Sequence, residues 1–249
     1  MLKKLIYYIL IFNFTVVSAQ LNQEPKKITK KFFSEHNDIE NITPALKKKK
    51  GFTNYQELLS YIDEKVQNYP ELVSSNFIGE SQKGKKIPIV FIKKNKNNFD
   101  KKLRVWMQGG LHGNEPASTE SLLYLIHLIL EDPNYNYLLD KIELAISPMA
   151  NIDGSLKNDR YAANGLDLNR DHTKIMAPET KASIKAFNNF NPHVALDFHE
   201  YRPFRKDFAQ LGSFGISNPY DVMFLYTGNL NVPENIRLIT VSYTHLRAH

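Results

Sequence analysis

The chain has 249 residues, is 42% hydrophobic, contains no cysteine and carries a formal charge of +6. That length suffices for one domain with a sizeable core, while the lack of thiols excludes a disulfide scaffold and leaves only nitrogen and oxygen to bind a metal. The charge is local: residues 1–50 hold ten lysines and four acids, so 22 basic and 22 acidic residues balance from Gly51 onward. The run Lys47 to Lys50 has no interleaved aromatics, and no nucleic-acid partner is expected.

In chain order, Lys3 and Lys4 precede an apolar stretch from Leu5 to Val17 and the small residues Ser18 and Ala19, which is the pattern of a signal peptide over 1–19. The stretch is short for a membrane span. Export to a bacterial periplasm or to the medium is therefore expected, with no stable span after cleavage. Residues 20–50 are rich in Lys, Asn and Glu without periodicity and read as a linker or pro-segment, with order beginning near Gly51. Thr53 and Gln56 fit a capping box, and Tyr55, Leu58, Leu59, Ile62 and Val66 recur at helical spacing up to Pro70.

Ser75–Gly79 and Ile87–Ile92 read as paired strands around Gly84, and Leu103–Gln108 as a strand entering a glycine-punctuated loop. Pro116 suits the first turn of a helix that would bury Leu122, Leu123, Ile126, Ile129 and Leu130. His127, isolated in that helix, reads as a surface or satisfied core histidine. A strand over Ile142–Ser147, a loop through Pro178, a helix over Glu179–Asn189 and a strand over Val194–Phe198 follow. Strands alternating with helices predict a three-layer α/β/α sandwich around a mixed, mostly parallel sheet.

The loop Gly109-Gly-Leu-His-Gly-Asn-Glu-Pro116 sets His112 and Glu115 three residues apart, and His199 ends the apolar run Leu-Asp-Phe-His. Two histidines and one carboxylate are a common hydrolytic zinc set that leaves the fourth position open. The glycines argue for a loop, unlike the helical His-Glu-x-x-His arrangement, so Glu115 is expected to be a ligand and not the base.

Three ordered blocks, His112-Gly-Asn-Glu115, Asn151-Ile-Asp-Gly154 leading to Asp167-Leu-Asn-Arg170, and His199, resemble the M14 family of zinc carboxypeptidases over roughly Gly51 to Arg202. The resemblance implies one Zn2+ per chain on His112, Glu115 and His199, and hydrolysis of peptide bonds at a free C-terminus by metal-activated water. It implies that Asp167 orients a zinc histidine, that Asn169 and Arg170 hold the substrate carboxylate, and that Arg160 stabilises the developing oxyanion.

Some residues depart from the pattern. Asn114 stands where many family members have arginine, and Asp171-His172 replaces the usual Asn-aromatic pair. The family's general-base glutamate and a substrate-capping tyrosine belong to later segments; Glu200 and Glu234 do not fit the base's context. The expectation is an incomplete peptidase domain over 51–240 and a non-native tail over 241–249. A related zinc amide hydrolase, acting on acyl-amino acids or cell-wall peptides, and a non-catalytic zinc- or carboxylate-binding module are the alternative readings.

Overall fold

A computed structural model describes residues 25–33, 39–94, 102–201, 215 and 233–235. The expected signal peptide and the expected non-native tail lie outside the described residues. Two compact units are present. One contains Asn41–Glu200; the other contains the described residues before Asn41 and after Glu200. The second unit includes helix α1 (Lys26–Phe32), in a stretch that reads as unstructured from its composition. Among the described residues no helix is long and apolar enough to cross a membrane.

The first unit starts earlier than Gly51. Thr43 is buried, and the Lys48 ammonium donates to the Phe52 carbonyl at 2.7 Å and to Glu57 at 2.6 Å. Local hydrogen bonds that link sequence positions 43–57 are invisible to periodicity, which is why the segment reads as linker.

Helix α2 (Tyr55–Asn68) is closed by a capping box one residue downstream of the expected one: Asn54 accepts from the backbone N–H groups of Gln56 and Glu57, and Glu57 accepts from the Asn54 N–H at 2.8 Å. Thr53 is used differently, donating both its N–H and its hydroxyl to Glu120, at 2.7 and 2.9 Å. Strands β1 (Val73–Glu80) and β2 (Lys86–Ile92) form the expected antiparallel pair. Strand β3 (Leu103–Gly109) leads into helix α3 (Pro116–Glu131), whose buried side includes the five predicted apolar residues.

A short helix α4 (Pro133–Asn136) and a 3-10 turn lead to β4 (Ile142–Ser147). The expected loop beyond it contains two single-turn helices, α5 (Ile152–Ser155) and α6 (Leu168–Asp171). Helix α7 (Pro178–Phe190) ends at the left-handed Asn191, and β5 (Val194–Phe198) closes the unit.

The five strands lie in the order β1-β2-β4-β3-β5. The sheet is mixed as expected, but among the described residues it is not mostly parallel: β1·β2 and β2·β4 are antiparallel, β3·β4 and β3·β5 parallel. Side-chain alternation separates two faces. Val90, Ile92, Val105, Met107, Leu144 and Ile146 pack with the apolar sides of α2 and α3. Ile89, Trp106 and Ala145 pack against Ala186, Phe187 and Phe190 of α7. Helices thus cover both faces, giving the three layers. Because β3 and β5 are parallel neighbours with Gly109 opposite Phe198, the segments that follow them emerge side by side, at the sheet end where open α/β folds place their chemistry.

Candidate metal centre

The loop after β3 turns sharply. Gly110 has φ +65°, a left-handed conformation that a side chain rarely tolerates. Gly113 packs so closely on the α5 segment that a Cβ there would lie 2.1 Å from the Gly154 carbonyl carbon and 2.2 Å from the Ser155 nitrogen. Asn151, fully buried, organises the same region: its amide donates to the Leu111 carbonyl at 3.2 Å and to the Arg160 carbonyl at 3.4 Å, and its oxygen caps α5 at Gly154. The Asn-x-Asp-Gly block is therefore structural in both polar members, since Asp153 accepts from the Ser81 hydroxyl and the Lys83 N–H.

This scaffold brings the three sequence-predicted ligands together. The nearest ligating atoms of His112, Glu115 and His199 lie within 4.8 Å of one another. His112 Nδ1 is 2.7 Å from Glu115 Oε1, and His199 Nδ1 is 2.9 Å from Glu115 Oε2. The two imidazoles are 4.8 Å apart between ring centroids. Glu115 stands at the N-terminus of α3 yet makes no capping bond with its side chain. Glu200 caps the helix in its place. The Glu200 carboxylate accepts the Ala117 N–H at 3.1 Å, while its own N–H donates to Glu115 Oε2 at 3.1 Å.

Burial opposes ionisation of Glu115, but hydrogen bonds from His112, His199 and the Glu200 N–H outweigh it and bring the carboxyl down to about 2. Hydrogen bonds to Asp197 and Glu115 push the His199 imidazolium up to about 10. The cluster therefore pairs the Glu115 carboxylate with the His199 imidazolium.

Asp167 plays two parts, one toward His112 and one as the cap of α6. Oδ1 lies 3.1 Å from His112 Nε2 and also accepts from the Asn169 and Arg170 N–H groups, capping α6. Oδ2 receives Arg160, at 3.1 Å from Nε and 3.0 Å from NH2. The third guanidinium nitrogen of Arg160, Nη1, is 3.4 Å from Glu115, so Arg160 borders the centre. Asn169 reaches His199 Nε2 at 3.2 Å, and Arg170 is exposed one residue further on.

Of the residues outside that set, Asp171 is buried and accepts the Met176 and Ala177 N–H groups, and His172 Nδ1 donates to the Leu168 carbonyl at 2.8 Å; both stabilise the loop. His127 lies on α3, 3.2 Å from Glu131 and apart from the centre. Sequence reasoning missed Asp197, whose carboxylate is 3.0 Å from His199 Nε2. Asp197 stands two residues before His199, but spacing alone does not say that its carboxylate meets the ring nitrogen turned away from Glu115.

Imidazole and carboxylate donors without thiolate, two of them carrying a carboxylate behind the ring, suit zinc. The family model for zinc carboxypeptidases matches residues 58–204. Carboxypeptidase 2 of Trichophyton tonsurans is 35% identical over 170 residues, covering 65% of this chain and 30% of that protein. The chain thus spans about a third of the length of such curated relatives. Among solved structures, carboxypeptidase A from Helicoverpa armigera superposes with a TM-score of 0.57 at 21% identity, over 72% of this chain and 51% of that one. A metallo-carboxypeptidase from Pseudomonas aeruginosa, in complex with (2-guanidinoethylmercapto)succinic acid, superposes with a TM-score of 0.52 at 21% identity, over 60% of this chain and 41% of that one.

Proposed function

The chain belongs to the zinc carboxypeptidase family, and from that premise we propose that the protein is an exported metallocarboxypeptidase that binds one zinc through His112, Glu115 and His199 and removes residues from peptides with a free C-terminus. The observation that carries the reading is the convergence of both imidazole Nδ1 atoms on the two oxygens of Glu115. The N-terminal Lys-Lys and apolar pattern supports export.

When bound, zinc supplies Lewis-acid polarisation of a scissile carbonyl and lowers the pKa of water to about 7. The chain's own residues shape the surroundings of that site. Asp167 holds His112 by Nε2 and keeps Nδ1 turned toward Glu115. Arg160, with a 36% exposed side chain, presents N–H donors beside the centre, where they can stabilise negative charge developing on the carbonyl oxygen. Arg170 offers a planar fork to a terminal carboxylate, with Asn169 as its neighbour between that position and His199. The succinic acid ligand of the Pseudomonas aeruginosa protein, which carries carboxylates, is in keeping with such a clamp.

The test compares peptides bearing a free C-terminus with the same peptides amidated. In the full-length enzyme the parent is expected to discriminate strongly, Arg170→Ala to lose most of that discrimination while keeping its zinc, and Arg170→Lys to recover part of it, because an ammonium supplies charge without the fork. Equal cleavage of both peptides by the parent, with Arg170→Ala lowering both alike, would replace this reading with that of another zinc amide hydrolase.

A further inference from the structure

The two imidazoles of the centre are built alike. Each turns Nδ1 to one oxygen of Glu115, and each has an aspartate behind it at Nε2: Asp167 Oδ1 at 3.1 Å from His112, and Asp197 Oδ2 at 3.0 Å from His199. A histidine that ligates a metal through Nδ1 must be neutral and carry its proton on Nε2. The group that accepts that proton's hydrogen bond fixes both tautomer and ring angle. Resting on the zinc reading above, we propose that Asp197 is a positioning residue that holds the His199 ring with Nδ1 facing the metal position.

Exposure makes such a hold matter more at His199 than at His112. The His112 side chain is 3% exposed, so burial already restricts its rotamer. The His199 side chain is 31% exposed. Its ring is held by Glu115 on one nitrogen and by Asp197 and Asn169 on the other. Strand geometry supplies Asp197 without a long reach: Leu196 and Phe198 pack on the main core, so Asp197 between them faces away from it, and His199 follows the last strand residue. Parallel pairing of β5 with β3, with Asp197 opposite Gln108, anchors the backbone that carries the carboxylate.

The arrangement also orients Asn169. The Asn169 amide nitrogen lies 3.2 Å from His199 Nε2; because a protonated Nε2 donates and does not accept, the amide must rotate to bring its oxygen there, its two ends being interchangeable. Its NH2 group then points away from His199 and is free for a substrate carboxylate. Asp197 and Asn169 share one N–H, and the anionic carboxylate is the stronger acceptor.

The experiment uses the full chain and measures the zinc dissociation constant by competition with a chromogenic chelator, the ligand-field spectrum of the cobalt-loaded protein, and the melting temperature of the metal-free protein. Asp197→Ala is expected to weaken zinc binding about tenfold, the lower end of the range for such partners because the carboxylate is 37% exposed, and to shift the cobalt bands. Its metal-free melting temperature should stay close to the parent's. Asp197→Asn, which keeps an acceptor oxygen and the side chain's shape, is expected to fall between. A purely structural role would lower the melting temperature while leaving zinc affinity and cobalt bands unmoved, and that result overturns the proposal. His199→Ala separates the two levels. If it and Asp197→Ala both keep the parent's zinc affinity, the metal assignment fails; if only Asp197→Ala keeps it, the metal assignment stands and the role of Asp197 falls.

Discussion

A methyl group at position 113 has no room: it would sit 2.1 to 2.6 Å from three backbone atoms of the α5 segment and Asp159, none of which can rotate away. Gly113→Ala should therefore force the His112 loop off α5, destabilise the fold by about 1–3 kcal/mol as overpacking does, and weaken zinc binding because His112 moves with its loop. Urea denaturation and a zinc titration of the same variant check both; wild-type values in each would show the loop free to adjust. At this scale the sequence was legible wherever chemistry demands a residue type. The three donors His112, Glu115 and His199 stand out because few patterns place imidazole and carboxylate in a glycine loop and at a strand end, and the structure brings them within 4.8 Å. Asp197 and Asn151 were not legible as organisers. One acts through a ring nitrogen that only a folded site defines, and the other acts by donating to two carbonyls 40 and 9 residues away.

Elements were readable where a strong period or a proline marks them, as in α3, which starts at Pro116, and β5, which runs from Val194 to Phe198. The start of α2 was misplaced by one residue because Thr53 and Asn54 are both good caps. The choice is made by Glu120 of α3, which draws Thr53 away. The packing of α2 on α3 carries a second polar tie: Lys65, with a 5% exposed side chain, donates to Glu131 at 2.6 Å and lies 3.4 Å from Glu64. Burial opposes ionisation of Glu131, but Lys65 outweighs it and His127 assists, so its carboxyl is held below the usual carboxylate range. A carboxyl lowered on folding stabilises the folded state above its unfolded pKa, and that contribution is lost as pH falls through the folded value. Glu131→Gln should therefore lower the unfolding free energy by about 1.5 kcal/mol at neutral pH, the low end for a hydrogen bond to a charged group, since Glu131 is 31% exposed and Glu64 remains nearby. The gap between parent and variant should close once pH drops below the lowered pKa of Glu131. Urea titrations across that range measure it, and a gap constant with pH would exclude the ion pair as its source.

On the scale of the whole unit, strand order could not be read from the chain, because the neighbours β3 and β5 are separated by two crossovers that include α3 and α7. No local pattern states that Gly109 will lie opposite Phe198. That register sets the His112 loop and His199 at one end of the sheet, while the α5–α6 loop supplies Arg160 and Asp167 and α6 supplies Asn169. A metal held there joins the loop after β3, the start of α3 and the end of β5, three segments that must all be folded for the donors to meet. Zinc should therefore bind the folded chain far better than the unfolded one and stabilise it by mass action, about 2.7 kcal/mol when free zinc exceeds its dissociation constant a hundredfold. For a chain of this size each kcal/mol raises the melting temperature by roughly 2–4 °C, so zinc addition after chelation should restore about 5–10 °C. Replacing both His112 and His199 by alanine should abolish the response to zinc, because one carboxylate cannot hold the ion alone. Differential scanning calorimetry with and without zinc gives the comparison. A parent that melts at the same temperature in both, or a double variant that still responds, would show that the cluster does not tie these segments together through a metal.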